Sequence, residues 1–339
     1  MSVKHPQRVK LAHCPTPLVR LERLGRELGA EIWLKRDDMT GLEVSGNKVR
    51  KLEYVVADAI RAGCDTIVTE GTPQSNHCRA TATVCAKLGL HCHLLYRPPP
   101  PPGPPQGNHL LDTIFGAEVS SYEWKPYFAD QEQIVNETLD RLRLAGREPR
   151  YTPMGASEPL GCWGYIRGAA ELAEQLYKAE MGECDIVLAV SSGGTYTGLL
   201  LGRWIHRLYH WNLWAVPVSD NVEYQTKNVR QLANTAIEQF NLPAVYRESD
   251  LHFLDGYVGS GYAVPYQEAI DAIRLLARTE AIMLDPVYTG KAFHALLEGV
   301  RTGCFGKKRP VIFLHTGGIY SNFAWPELLL GGVKSALRS

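Results

Sequence analysis

Two lysines, Lys48 and Lys51, stand three residues apart directly after the small-residue turn Ser45-Gly46-Asn47. Such a turn starts a helix, where backbone N–H groups lack partners, and residues three apart on a helix share a side. One amine can then hold a carbonyl compound as an imine while the other meets an anion. A second chemical segment is the loop Ser191-Ser192-Gly193-Gly194-Thr195. Placed between a strand and a helix, its N–H groups can converge on a phosphate. The loop lacks the lysine-bearing end of a triphosphate-binding loop and the glycine spacing of a dinucleotide site, so it suits a single phosphate. Ser75-Asn76-His77 opens another expected helix, and a helix start suits a carboxylate. Taken singly, each of these segments also reads as an ordinary cap or a solvated basic face. His206 and His210 lie one helical turn apart but lack acidic or thiol ligands nearby, and His91-Cys92-His93 alternates across a strand. No metal site is expected.

The elements that must position these groups alternate. Residues 64–71 read as a strand, 75–90 as a helix and 91–97 as a strand. The same grammar returns with a strand at 184–190, a helix across 191–210 and a strand at 309–318. Strands alternating with helices imply parallel sheets and an α/β fold. The proline run at 98–107 can be neither helix nor central strand and reads as an extended surface connection.

With 339 residues the chain exceeds what one core usually fills, so two domains around a shared crevice are expected. Its 36 Lys and Arg balance 36 Asp and Glu, which leaves no footprint for nucleic acid or an anionic membrane. No apolar run approaches the ~20 residues that cross a bilayer. The N-terminal stretch has no export signal, and the C-terminal residues 334–339 match no retention or lipidation signal. Eight scattered cysteines without a CxxC pair read as reduced thiols of a cytoplasmic protein.

Eight segments together resemble the D-cysteine desulfhydrase and 1-aminocyclopropane-1-carboxylate deaminase family, pyridoxal-phosphate enzymes of the tryptophan synthase β-subunit fold. They are CPTPLVRLERL (14–24), KRDDMTGLEVSGNKVRKLE (35–53), PQSNHCRATA (73–82), PLGCWGYIRGA (159–169), SSGGTYTG (191–198), GSGYAVP (259–265), LDPVYTGKA (284–292) and FLHTGG (313–318). Their order along nearly the whole chain is far more specific than any one of them. The resemblance implies two open, mostly parallel twisted sheets with helices on both faces. It implies a large domain from 1–51 and 159–339, a small inserted domain at 52–158, the cofactor between them, and a homodimer. Lys48 would carry the cofactor and then shuttle the substrate's Cα proton. A free lysine is neutral only about once in 2,500 at pH 7, so use as a base needs a depressed pKa or a covalent link held until substrate arrives. Lys51 with Ser191, Ser192, Gly193, Gly194 and Thr195 would bind the phosphate. Ser75, Asn76 and His77 would meet the substrate carboxylate, with Asn76 also near the cofactor's phenolic oxygen. Tyr262 and Tyr288 would contact substrate and move protons, and Ser75 joins them and Lys48 in the catalytic set.

Two further positions bear on the reaction. Ring-opening deaminases of the family carry Glu after the tyrosine of DPVY and Leu in place of the threonine of HTGG, whereas this chain has Thr289 and Thr316. A threonine beside the pyridine nitrogen gives a weaker electron sink than a carboxylate, and expulsion of a thiolate needs less of one. The resemblance therefore implies α,β-elimination of D-cysteine to pyruvate, ammonia and hydrogen sulfide. L-cysteate sulfo-lyase and 1-aminocyclopropane-1-carboxylate deaminase are the alternatives, with a non-catalytic carrier or sensor of the cofactor behind them. Pocket size is open where the chain departs from the family, at residues 98–105, Tyr196 and Ala263.

Overall fold

Short runs of β-branched and apolar residues become strands here because helices cover both faces of the sheets they form. The computed structural model describes residues 4–123, 129–306 and 309–331, so the C-terminal stretch read for a targeting signal lies outside the described residues. In chain order the strands are β1 (Leu18–Arg20), β2 (Ile32–Lys35), β3 (Thr66–Gly71), β4 (His91–Tyr96) and β5 (Glu118–Ser121). They continue with β6 (Pro149–Tyr151), β7 (Cys184–Val190), β8 (Trp211–Pro217), β9 (His252–Phe253) and β10 (Val311–Leu314). One sheet has the order β1-β2-β10-β7-β8-β9, with only the β1–β2 pair antiparallel. The other has the order β5-β4-β3-β6 and is parallel throughout.

The strands expected at 64–71, 91–97, 184–190 and 309–318 are β3, β4, β7 and β10, each trimmed by at most a few residues. The helix expected at 75–90 is Asn76–Leu88, and Ser75 caps it by accepting from the N–H groups of His77 and Cys78 at 3.2 Å each. The helix expected across 191–210 is shorter: it runs Gly194–Ile205, and Arg207 then turns the chain with φ 57°. His206 and His210 therefore do not share a helix. Residues 97–106 form neither helix nor strand.

Alternation along the central strands feeds two cores. Val187, Val311 and Phe313 enter one apolar cluster, while Ile186, Leu188, Ile312 and Leu314 enter another. Each fully buried aliphatic side chain contributes roughly 1.5–3 kcal/mol. Among the described residues no helix is long and apolar enough to cross a membrane.

Charged groups anchor the helix that matters most, Asn47–Arg61. Its Arg50 is buried and donates to both Asp37 oxygens at 2.8 Å and to both Glu171 oxygens at 2.9 and 2.8 Å. Lys35 Nζ donates to Glu171 at 2.5 Å, and the Tyr165 hydroxyl donates to Asp37 at 2.5 Å. Burial alone would raise both acids; the Arg50 hydrogen bonds and charge, with Lys35 behind them, instead hold Asp37 low and Glu171 at about 2. The segments around KRDD and LGCWGYI thus clamp the lysine-bearing helix from below. Parallel pairing sets the end of β2 beside the end of β10, with Lys35 opposite Leu314. The turn before Lys48 consequently stacks on the turn after β10. Gly46 (φ 100°) and Gly317 (φ 97°) meet there, and a Cβ on Gly46 would come within 2.8 Å of Thr316 O.

Candidate active site

Open α/β sheets bind ligands beyond the carboxyl ends of their strands. Here the turns after β3, β7 and β10 meet the start of helix Asn47–Arg61. One cavity is lined by Lys48, Asn76, Ser191, Ser192, Gly193, Thr195, Tyr288 and Thr316, together with Asn47, Ala189, Val190 and Tyr196. Lys48 follows directly on Asn47, whose N–H donates to Thr316 O at 3.0 Å and whose Nδ2 donates to Thr195 Oγ1 at 2.9 Å. Burial pushes the Lys48 ammonium down to about 8, although its hydrogen bond with Lys51 works the other way. Burial, and then the neighbouring charge of Lys48, pushes Lys51 well below the ordinary lysine value. Among the described residues no carboxylate offsets either shift.

Beside the lysines lies a ring of small polar groups. Lys51 Nζ donates to Ser157 Oγ at 3.3 Å, and Ser157 Oγ donates to Ser192 Oγ at 2.8 Å. The N–H of Gly194 donates to the same Ser157 oxygen at 3.1 Å. Helix Gly194–Ile205 begins there with Gly193 (φ 81°) and no side-chain cap, so N–H groups of its first turn stand open. Gly155 closes the floor: a Cβ there would lie 2.3 Å from Ser192 Oγ and 3.3 Å from Lys48 Nζ. Neither Gly155 nor Ser157 was foreseen from sequence, because neither stands in a motif with regular spacing.

Other expected site residues divide. Tyr288 lines the cavity, and its hydroxyl hydrogen-bonds the hydroxyl of Tyr262, with ring centroids 5.9 Å apart. Tyr262 lines an adjoining cavity that it shares with Thr72 and Ser191. Burial raises both phenols, Tyr288 strongly, so at neutral pH both are protonated donors. Thr316 lines the main cavity, but Thr289 does not. The Thr289 hydroxyl donates to Asp285 Oδ1 at 2.6 Å and accepts from the Asp285 N–H at 2.7 Å. Asp285 also accepts from the N–H groups of Val287, Tyr288 and Thr289, so it caps helix Thr289–Thr302 and fixes the backbone of Tyr288. Asp285 went unnoticed in the sequence.

Ser75 and His77 are also set back from the main cavity. The Ser75 oxygen accepts the two hydrogen bonds of the cap, which leave its own hydroxyl hydrogen available to donate. Thr69 gives its hydroxyl hydrogen to Thr152 O at 2.7 Å, so His77 must donate from Nε2 to Thr69 at 2.8 Å. That leaves His77 Nδ1 as a buried acceptor with no partner among the described residues. Burial and the two lysine charges hold the imidazole neutral. A neutral acceptor nitrogen cannot hold a carboxylate. Among the described residues no cluster of three or more His, Cys, Asp or Glu could hold a metal ion.

Two buried lysine amines without an acid beside them, an open helix N-terminus and a hydroxyl-rich loop together call for an anion with a carbonyl near it. The residues present fit pyridoxal phosphate. The chain matches, over residues 9–317, the model of the family described as pyridoxal-phosphate dependent enzyme. The chain belongs to that family. Among curated members it is similar to the D-cysteine desulfhydrases of Salmonella choleraesuis (strain SC-B67) and Salmonella enteritidis PT4. Each is 39% identical over 322 residues, covering 94% of this chain and 96% of the relative. The crystal structure of an ACC deaminase homologue superposes with a TM-score of 0.87 at 37% identity, covering 96% of both chains. A fungal L-serine ammonia-lyase from Rhizomucor miehei, at 18% identity and a TM-score of 0.65 over 91% of this chain and 95% of its own, shares the fold. Pyridoxal phosphate is accordingly the cofactor of this enzyme.

Proposed function

We propose that the enzyme catalyses α,β-elimination of D-cysteine, which with one water gives pyruvate, ammonia and hydrogen sulfide. Its likeness to D-cysteine desulfhydrases over nearly the full length of both chains supports this reading. The observation that carries it within the site is that, among the described residues, no acidic side chain lines the cavity, whereas Thr316 does. The chemistry the bound cofactor supplies is a sink for the electron pair left on the substrate's α-carbon. A site without a carboxylate makes that sink modest, which favours a substrate whose leaving group departs readily. A thiolate, with a conjugate-acid pKa near ~8.5, is such a group.

In this reading Lys48 bears the cofactor, takes the Cα proton on Nζ and holds it while the thiolate leaves. A depressed pKa suits that task, since a base near the working pH is the most effective. Lys51, Ser157, the 191–195 loop and the start of helix Gly194–Ile205 hold the phosphate. Asn76 turns toward the phenolic oxygen, and its helix start faces the substrate carboxylate. Tyr262 and Tyr288, kept protonated, donate to the substrate and hand protons across their shared hydrogen bond. Ser75 serves the site by fixing the backbone of that helix start. Thr289 serves by holding Asp285 in its capping position beside Tyr288. We also read the chain as a large domain (1–51 and 159–339) and a small one (52–158), acting as a cytoplasmic homodimer on a small amino acid. The strands of the four-stranded sheet, all between Thr66 and Tyr151, support that division.

A turnover assay on the cofactor-loaded enzyme tests the function. D-cysteine, L-cysteine, L-cysteate and 1-aminocyclopropane-1-carboxylate are offered side by side, and sulfide, sulfite, ammonia and keto acid are followed. Sulfide and pyruvate from D-cysteine, with little product from the others, is the expected outcome. Sulfite from L-cysteate or 2-oxobutanoate from the cyclopropane as the dominant product would overturn the substrate assignment.

A further inference from the structure

We propose that Asn108 is a positioning residue that determines which end of the Asn76 amide faces the cofactor. The inference rests on the reading above that Asn76 meets the phenolic oxygen. An asparagine amide has a donor end and an acceptor end, and only the donor end stabilises an ionised oxygen. What decides between the ends is a chain of contacts that begins at Arg79. A guanidinium donates and never accepts. Arg79, fully buried, donates from Nε to Asn108 Oδ1 at 3.0 Å, from Nη2 to Ser45 O at 2.8 Å and from Nη1 to Glu43 O.

With its oxygen committed to Arg79, Asn108 must present Nδ2 on the other side. Both hydrogens of that nitrogen are used, one on Gln74 O at 2.9 Å and one on Asn76 Oδ1 at 3.0 Å. The Asn76 oxygen is therefore held against Asn108, away from the cavity. Its amide nitrogen, with no acceptor among the described residues, is left to serve the cavity that Asn76 lines with Lys48. One donor-only side chain has thus set the direction of two amides in series.

The arrangement also gives the proline-rich connection a task. Asn108 follows that run, and its N–H donates to Gln74 Oε1 at 3.0 Å while Gln74 Nε2 donates to Gln106 O at 2.9 Å. Gly107 (φ 58°) between them passes so close that a Cβ would lie 2.4 Å from Gln74 Oε1. The end of the connection is bolted to the turn that carries Asn76, and Asn108 is buried completely. From sequence the run reads as a plain surface connection, because its effect is exerted only through the residue that follows it.

The test compares Asn108→Asp, Asn108→Ala and Asn76→Asp with the parent enzyme. Three quantities are read: the pH midpoint of the bound cofactor's visible absorption, the dissociation constant of pyridoxal phosphate from the apoprotein, and the melting temperature. Asn108→Asp still accepts from Arg79 but cannot donate to Asn76, whose amide then turns its oxygen toward the cofactor. Loss of a hydrogen bond to a charged oxygen raises the spectral midpoint by about one unit and weakens cofactor binding about tenfold. Asn108→Ala, which deletes the donor without adding a charge and stands in should the aspartate variant not fold, moves both quantities the same way by less. A lower melting temperature with an unmoved midpoint in both Asn108 variants, while Asn76→Asp does shift it, overturns the positioning role. An unmoved midpoint in all three overturns the placement of Asn76 itself and the inference with it.

Discussion

At the scale of single residues, Lys48 is an amine stored in a place that disfavours its charge. Burial lowers it from the ordinary 10.5 to about 8, so the unfolded chain binds the extra proton between those values. Stability of the apoprotein therefore climbs with pH across that window, and the full penalty of about 3 kcal/mol applies below pH 8. Replacing Lys48 with Met should stabilise the apoprotein at pH 7 by up to about 3 kcal/mol in denaturant titrations, while abolishing cofactor capture and turnover. An apo variant less stable than its parent would refute the buried-charge argument. The rate of cofactor capture by the parent should rise with pH and level off near 8, because only the neutral amine attacks a carbonyl. Lys48 and the 191–195 loop were legible in the sequence because lysine spacing and glycine clustering are local signals. Ser157 was not, since it reaches Lys51 across 106 residues of chain. Thr289 is a different case: its hydroxyl hydrogen goes to Asp285, only four residues back, a pairing that no spacing rule announces.

At the scale of elements, the lysine-bearing helix owes its place to the buried pairing of Arg50 with Asp37 and Glu171. Removing one partner of such a set leaves an uncompensated charge and costs about 3–5 kcal/mol. Arg50→Leu should lower stability by that amount and weaken cofactor binding; a change below about 1 kcal/mol would show that the clamp is slack. Glu171 adds a pH signature. Its folded value of about 2 lies below the ordinary 4.5, so its contribution is present above pH 4.5 and disappears as pH falls toward 2. In Glu171→Gln the acid-side decline of stability should lose that component, measured by urea midpoints across the range. Strands with sustained apolar runs, such as β7, could be read from sequence. β9 at two residues and β1 at three are too short for any periodicity, and pairing with neighbours alone makes them strands.

Seen as a whole molecule, the enzyme gathers one cavity from the ends of strands in both sheets: the turns after β7 and β10 supply the loop and Thr316, and the turn after β3 supplies Asn76. A ligand bound there and absent from the unfolded chain stabilises the whole, by about 4 kcal/mol at a thousandfold excess over its dissociation constant. Removing pyridoxal phosphate should lower the melting temperature by several degrees, and adding it back should restore the loss in proportion to the logarithm of its concentration. A melting temperature indifferent to the cofactor would place the binding site elsewhere. Fold class was legible at this scale because strand–helix alternation and the ordered motifs span most of the chain. Substrate handedness was not, since it depends on which face of the cofactor each group occupies, and no local pattern encodes a face.

The central claim is that Lys48 is the amine that holds the cofactor. Borohydride reduction of the loaded enzyme, followed by proteolysis and mass spectrometry, reads it directly. The account predicts the reduced cofactor on the peptide containing Lys48, at that side chain. Attachment at Lys51 or at any other lysine, or no attachment at all, would contradict it.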